Sequence, residues 1–183
     1  RGMSSFGTLL DIVIADELKT ILWPTPQDDD AESWRMRAEL WQDGRAMIGG
    51  SDAGAHLDRM CGAPYPTRWL ADCIRGRKLV PVEFAVKMMT SQPAKLFGLV
   101  DRGELREGAC ADVVVFNPDE IGSEDAMLVT DLPGNSSRLT AGSFGVKRVL
   151  VNGVTIVENG VANGAVPGTV LKSGKDTYTV LAR

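Results

Sequence analysis

The chain has 183 residues, 44% of them hydrophobic and 24% charged, which is typical of a globular protein with a buried core. Its net charge of -4 and pI near 5.1 argue against a nucleic-acid partner, because phosphate binding needs clustered lysine and arginine. No run of about 20 apolar residues indicates a membrane span, so we expect no membrane partner either.

The three cysteines, Cys61, Cys73 and Cys110, are odd in number and lack CxxC spacing. Neither a disulfide framework nor a structural zinc site is therefore indicated. With no charged-then-apolar leader, we expect a reducing, cytoplasmic location.

The first part of the chain has a helical pattern and then a short extended one. Ser4 or Ser5 is a suitable N-cap for a helix whose apolar positions run from residue 9 to residue 18. Lys19–Trp23 then has the pattern of a short buried strand, ended by prolines 24 and 26.

An acidic triplet, Asp28–Asp30, precedes a second helical pattern in which Trp34, Ala38 and Trp41 recur at helical spacing. Carboxylates at a helix N-terminus meet free backbone N–H groups, so the triplet is interpreted as a cap, with a metal site as the alternative. Arg45–Gly50 is then predicted to be a strand. Strand, helix and strand in this order predict parallel βαβ units.

Three further helices or helix ends follow from local signals. Thr67–Ile74 is predicted to be a helix closed by Gly76, and Pro81 suits the first turn of the next helix. Gln92–Phe97 is predicted as a short helix that ends at Gly98, a residue that readily adopts the left-handed conformation.

The last part of the chain has β patterns. Ala111–Phe116 is an apolar strand, and Asn152–Gly153 between Lys147–Val151 and Val154–Val157 is a strong hairpin signal. Gly122–Ser137 is predicted to be a polar loop.

Two segments carry a family resemblance. The segment Gly103–Phe116, GELREGACADVVVF, resembles the return from barrel to β-sandwich in amidohydrolases of the hydantoinase and D-aminoacylase type. Ile48–Asp58, IGGSDAGAHLD, followed by Tyr65-Pro66-Thr67, resembles the end of the eighth barrel strand in amidohydrolases that include N-acyl-D-amino-acid deacylases. The resemblance continues to about Leu171.

This resemblance implies an α/β fragment with an incomplete fold. Residues 1–98 would be the last strand–helix units of a TIM-type (β/α)8 barrel, and residues 99–183 part of a small β-sandwich domain. Open strand edges predict a homo-oligomer or association with the missing N-terminal part.

The same resemblance implies a metal-dependent hydrolase of non-peptide C–N bonds that deacylates N-acyl-D-amino acids, small-molecule amides, with one or two zinc ions. Asp52 would touch the metal, accept a proton from its water and pass that proton to the leaving amine. His56, Arg59, Ser51 and Gly50 are the candidate substrate-binding residues.

Each candidate has a structural alternative. The local pattern around Asp52 also suits a tight turn with an Asx-type hydrogen bond. His56 can be a packing residue, Arg59 and Arg68 can form surface ion pairs, and the four tryptophans are interpreted as packing residues.

Two alternative functions remain open: a cyclic-amide hydrolase of the hydantoinase or dihydropyrimidinase type, and a non-catalytic scaffold. The family's metal-binding histidines are absent, because His56 is the single histidine and does not match a ligand position. We therefore expect the chain alone to bind metal poorly and to be inactive.

Overall fold

The computed structural model describes residues 2, 4–20, 22 and 27–181. Residues 1–30 and 31–183 form two separate compact units. Within the described residues, no helix has both the length and the apolar character needed to cross a bilayer.

The first unit contains helix α1, Ser5–Ala15. Ser4 caps it as predicted, since its Oγ accepts a hydrogen bond from the Gly7 N–H at 3.1 Å. The predicted strand at Lys19–Trp23 is wrong where it can be checked, because Lys19, Thr20 and Leu22 have no strand structure. Ile21, Trp23 and residues 24–26 lie outside the described residues.

The second unit begins with helices. They are α2 Ala31–Gln42, α3 Tyr65–Ala71 with a π-helical turn at Asp72–Gly76, α4 Val82–Met89 and α5 Ser91–Leu96. Pro81 caps α4, and Gly98 follows α5 with a φ of 64°. The helices that capping and spacing predict after residue 30 are therefore confirmed, with ends shifted by a few residues.

The parallel βαβ layout is wrong within the described residues. Arg45–Gly50 forms no strand, and no strand precedes Val113 in that part of the chain. An extended segment needs a neighbouring strand to satisfy its backbone N–H and C=O groups. None of the described residues supplies such a neighbour to Arg45–Gly50. The mixed composition of helices and strands is confirmed.

Eight short strands follow, all paired antiparallel. They are β1 Val113–Phe116, β2 Gly122–Ser123, β3 Met127–Leu132, β4 Ser136–Thr140, β5 Ser143–Phe144, β6 Val146–Val151, β7 Val154–Glu158 and β8 Val161–Ala162. One sheet has the order β1-β6-β7-β8, and β2–β5 and β3–β4 form separate pairs. The predicted hairpin is confirmed, with φ values of 48° at Asn152 and 80° at Gly153.

The prediction of a polar loop at Gly122–Ser137 is wrong. In this region β3 pairs with β4, with Met127 opposite Thr140 and Val129 opposite Arg138. A turn at Pro133–Asn135 joins the two strands. The polar residues of this segment favoured a loop in the prediction, although the β3 positions include apolar and β-branched residues that are typical of strands.

Asp112 connects the segment Gly103–Phe116, which carries part of the family resemblance, to the sheet. Its carboxylate accepts the Asn152 N–H at 2.9 Å and pairs with Arg102. The Gly153 N–H donates to the Ala111 carbonyl at 2.9 Å. Asp112 therefore fixes the β6–β7 turn beside the start of β1.

The core joins helices to the strand region. Its buried residues are Leu70, Cys73, Val80, Ala85 and Ile121. Ile121, which is 1% exposed, directly precedes β2, whereas the others belong to the helical region. Tryptophans pack beside this core: the ring centroids of Trp41 and Trp69 are 6.0 Å apart.

Arg75 holds the same junction by hydrogen bonds. Its guanidinium donates to the carbonyls of Pro118 at 3.0 Å and Ile121 at 2.7 Å. Nearby, the hydroxyls of Thr67 and Ser123 lie 2.6 Å apart. The helices therefore position the strand region through side-chain bonds as well as apolar contacts.

We predict that Arg75→Met lowers the free energy of unfolding by about 1–3 kcal/mol, because two carbonyls lose a charged donor. Urea unfolding followed by tryptophan fluorescence measures the change. Lys87→Met, which alters an exposed cation on α4, is the matched control and should shift stability by less than about 0.5 kcal/mol. Equal midpoints for the two variants would contradict the role of Arg75.

Candidate functional site

The predicted site residues lie in one exposed loop between α2 and α3. Residues 46–62 contain neither helix nor strand. The Ala53 N–H donates to Ser51 Oγ at 3.2 Å, and the Ala55 N–H donates to the Asp52 carbonyl at 3.0 Å. The first turn of the loop is thus closed by a serine side chain and by backbone.

Asp52 is exposed, and its φ is 53°. Aspartate tolerates this left-handed conformation better than most residues, at a cost on the order of 1 kcal/mol. In the part of the chain that the structure describes, its carboxylate accepts no hydrogen bond. Within the described residues, the Asp52 carboxylate therefore does not make the Asx-type hydrogen bond that the turn interpretation predicts.

His56 occupies the next bend of the loop. It is exposed with a φ of 45°, and its carbonyl accepts the N–H groups of Arg59 and Met60, both at 2.9 Å. The backbone of His56 therefore shapes the loop, while its imidazole stays accessible to solvent.

Arg59 forms an exposed ion pair with Asp58, with a nitrogen–oxygen distance of 3.1 Å. The hydrogen bond from Arg59 holds the pKa of the Asp58 carboxyl below its usual value. To bind a substrate carboxylate, Arg59 would have to exchange this neighbour for the ligand. Arg68 is exposed on α3, outside the loop. Gly50 is an exposed residue of the loop, next to half-buried Ser51.

The described residues do not form a metal site by themselves. They contain no group of three or more His, Cys, Asp or Glu side chains able to hold an ion. The Asp28–Asp30 triplet therefore does not form a metal site among these residues. Cys73 is 1% exposed, and burial, aided by the nearby Asp72 carboxylate, raises the pKa of its thiol to about 12. That thiol is therefore neither a ready ligand nor a nucleophile.

Two contacts of the loop involve residues outside the predicted site. Gly62 lies against the backbone of Ser51, where an added Cβ would be 2.0 Å from the Ser51 carbonyl oxygen. The Leu57 carbonyl accepts the Leu139 N–H of β4 at 2.7 Å. No spacing rule identifies Leu139, and Gly62 gives only the weak signal of a glycine in a loop.

A cavity of about 790 Å³ lies outside the loop. Apolar side chains of Trp41, Phe84 and Leu96 line part of it. None of the predicted site residues borders this cavity, so it does not enlarge the candidate site.

Comparison with known proteins gives the family. The model of the amidohydrolase family matches residues 23–157, which include the loop. The chain is 36% identical to N-acyl-D-glutamate deacylase of Alcaligenes xylosoxydans xylosoxydans over 115 residues, 60% of this chain and 22% of the relative.

The chain is also similar to two solved structures. A D-aminoacylase crystal structure, described as defining a novel subset of amidohydrolases, is 31% identical with a TM-score of 0.50, over 75% of this chain and 26% of that one. N-acyl-D-glutamate deacylase from Bordetella bronchiseptica, complexed with zinc and a phosphonate inhibitor, is 33% identical with a TM-score of 0.49, over 69% of this chain and 25% of that one. The chain thus spans 22% to 26% of these three proteins. With most of its length matched by the family model, the chain belongs to the amidohydrolase family.

Proposed function

We propose that this chain is part of a metal-dependent hydrolase that deacylates N-acyl-D-amino acids, with Asp52 as the proton-transferring carboxylate. The observation that carries the proposal is an exposed Asp52 carboxylate with no local hydrogen bond, inside the region that matches the amidohydrolase family. The 36% identity to an N-acyl-D-glutamate deacylase supports a linear N-acyl amide over a cyclic one.

In this proposal, residues 1–98 are the C-terminal portion of a (β/α)8 barrel and residues 99–183 are part of a β-sandwich domain. The D-aminoacylase structure supports it by matching 75% of this chain. The loop that carries Asp52 would then lie at the C-terminal face of the barrel, where such barrels carry their chemistry.

Asp52 has the chemistry that amide hydrolysis needs from a carboxylate. It would accept a proton from water as the water oxygen adds to the acyl carbonyl. It would then return that proton to the amide nitrogen as the C–N bond breaks, releasing a carboxylic acid and a D-amino acid. Arg59, after leaving Asp58, would bind the substrate carboxylate, and Gly50, Ser51 and His56 would line the same pocket.

Asp52 would contact the metal, and the remaining metal ligands would come from outside the described residues, since these form no metal cluster. The relatives contain about three quarters of their length beyond the matched region, which leaves ample chain for such ligands. We include one or two zinc ions in the proposal on the strength of the family resemblance.

We predict that the 183-residue chain alone does not hydrolyse N-acetyl-D-glutamate, with or without added zinc, because its described residues form no ligand cluster. Amine release measures turnover, and elemental analysis should find less than one bound metal per chain. Robust turnover by the chain alone would contradict this expectation. For a longer protein that contains the chain, a panel of N-acetyl-D-amino acids, their L-enantiomers and hydantoins distinguishes a deacylase from a cyclic-amide hydrolase.

We predict that Asp52→Asn changes the stability of this chain by less than about 0.5 kcal/mol, because the carboxylate makes no local bond and asparagine also tolerates a positive φ. In the longer enzyme the same variant should lower kcat by about 10²–10⁴-fold, since the proton acceptor is lost. Urea unfolding and steady-state kinetics measure the two effects.

Asp125→Asn, an exposed carboxylate outside the loop, is the control for both measurements. Loss of stability without loss of activity in Asp52→Asn would assign Asp52 to the turn and not to catalysis.

Large apolar side chains are exposed in both units. Ile14 and Leu18 in the first unit are 68% and 77% exposed, and Leu105 in the second is 79% exposed. Helix α1 has no buried residue. Exposed apolar surface of this kind is typical of an interaction face. We propose that the remaining portion of the family fold covers it.

We therefore predict that the isolated chain binds a hydrophobic dye and self-associates at micromolar concentration. Sedimentation velocity and dye fluorescence measure this. In a longer protein, hydrogen exchange at α1 should slow because the helix is covered. A dye-negative monomer, or unchanged exchange at α1, would contradict the proposal.

A further inference from the structure

We propose that Gly62 is a positioning residue for Asp52, because it allows the loop that carries Asp52 to close on its own backbone. The significance of Asp52 rests on the proposed function, whereas the closure of the loop is a property of this chain. Gly62 itself touches neither substrate nor reacting atoms in this proposal.

The geometry at Gly62 leaves no room for a side chain. A Cβ at this position would lie 2.0 Å from the Ser51 carbonyl oxygen, 3.1 Å from the Ser51 carbonyl carbon and 3.3 Å from the Ala53 nitrogen. All three atoms belong to the backbone, so no rotamer change can relieve the clash. The entering and leaving ends of the loop therefore meet here, as in an Ω-loop.

Gly62 is needed for space and not for backbone freedom. Its φ is outside the left-handed region, so its conformation by itself would accept alanine. Gly54, in the same loop, has a φ of 97° and nothing within 4 Å of an added Cβ. The two glycines thus have different roles, and only Gly62 is a close-approach position.

Displacement of Ser51 would move Asp52 directly, because the two residues are adjacent. Two further contacts hold the rest of the loop: the Asp52 carbonyl with the Ala55 N–H, and the Leu57 carbonyl with the Leu139 N–H of β4 at 2.7 Å. The Ser51–Gly62 contact closes the loop at its base, and the bond to β4 anchors its far side. A larger residue at 62 would open the base while the far anchor remains.

The test compares Gly62→Ala with Gly44→Ala in the 183-residue chain, without metal or substrate. Gly44 is the matched control, since nothing lies within 4 Å of an added Cβ and its φ is not left-handed. His56 is the single histidine, so its imidazole proton resonances report on this loop alone. We expect Gly62→Ala to move these resonances toward their positions in an unstructured peptide, and Gly44→Ala to leave them unchanged.

Trypsin provides a second measurement that separates local opening from general unfolding. Arg59 lies inside the loop, whereas Arg45, with 91% of its side chain exposed, lies before it. Gly62→Ala should speed cleavage after Arg59 by about tenfold relative to cleavage after Arg45, because cleavage follows the open population. Circular dichroism should show unchanged helix content.

Unchanged His56 resonances and unchanged relative cleavage in Gly62→Ala would overturn the inference. So would loss of helix content with equal acceleration at Arg45 and Arg59, since Gly62 would then act on global folding. In the longer enzyme, Gly62→Ala should lower kcat by about 10²-fold and also raise KM, because the displaced loop carries Arg59 and Ser51 as well as Asp52, whereas Gly44→Ala should change neither value. An inactive longer enzyme that carries wild-type Asp52 would contradict the proposed function. The His56 resonances and the relative cleavage at Arg59 would still test the role of Gly62, because they need no activity.

Discussion

An extended backbone segment is stable only when a neighbour satisfies its N–H and C=O groups. Within the described residues every strand lies at or after Val113 and pairs antiparallel with another part of the same chain, and before Val113 there is only one isolated bridge, between Leu99 and Thr177. Before that point the chain keeps its helices, which satisfy their own backbone bonds, and leaves Arg45–Gly50 irregular. The exposed apolar side chains fit the proposal that further strands of the family fold would cover these helices, since barrel strands and helices bury each other's apolar faces.

The helical and antiparallel regions of the second unit are nevertheless joined, and this junction lies next to the candidate loop. Ile121 inserts into the helical core, and Arg75 donates to two carbonyls beside it. Helix α3 starts at Tyr65, three residues after Gly62, and the Tyr65 N–H donates to the Gly62 carbonyl at 3.2 Å. One end of the loop is therefore fixed to a packed helix, and its far side to β4. A loop held at both places can keep a fixed geometry although it contains no regular structure.

Local signals predicted those parts of the fold whose hydrogen bonds are local. Ser4 caps α1 and Asn152–Gly153 turns the β6–β7 hairpin, because each needs only a few neighbouring residues. The strand predicted at Arg45–Gly50 does not form, because a strand needs a pairing partner and the sequence of the segment does not show whether one is present. At the site, the motif identified Asp52, whereas Gly62 is defined by a contact across ten residues that no periodic pattern encodes.

The hydrogen bonding of Asp52 connects the structure of the loop to the proposed proton transfer. A carboxylate that served an Asx turn at Asp52 would accept the Gly54 N–H, a bond that the described residues do not make. The side-chain bond of this turn is one residue earlier, where Ser51 Oγ accepts the Ala53 N–H. The backbone of Asp52 is thus held in a left-handed conformation by its neighbours, while its carboxylate oxygens remain available to a ligand. Functional groups are commonly held by strain that surrounding contacts maintain. Apart from the Ser51 Oγ bond, those contacts are backbone to backbone. In our proposal the position of Asp52 therefore depends on the small size of Gly62, which lets the backbone at the base of the loop approach closely.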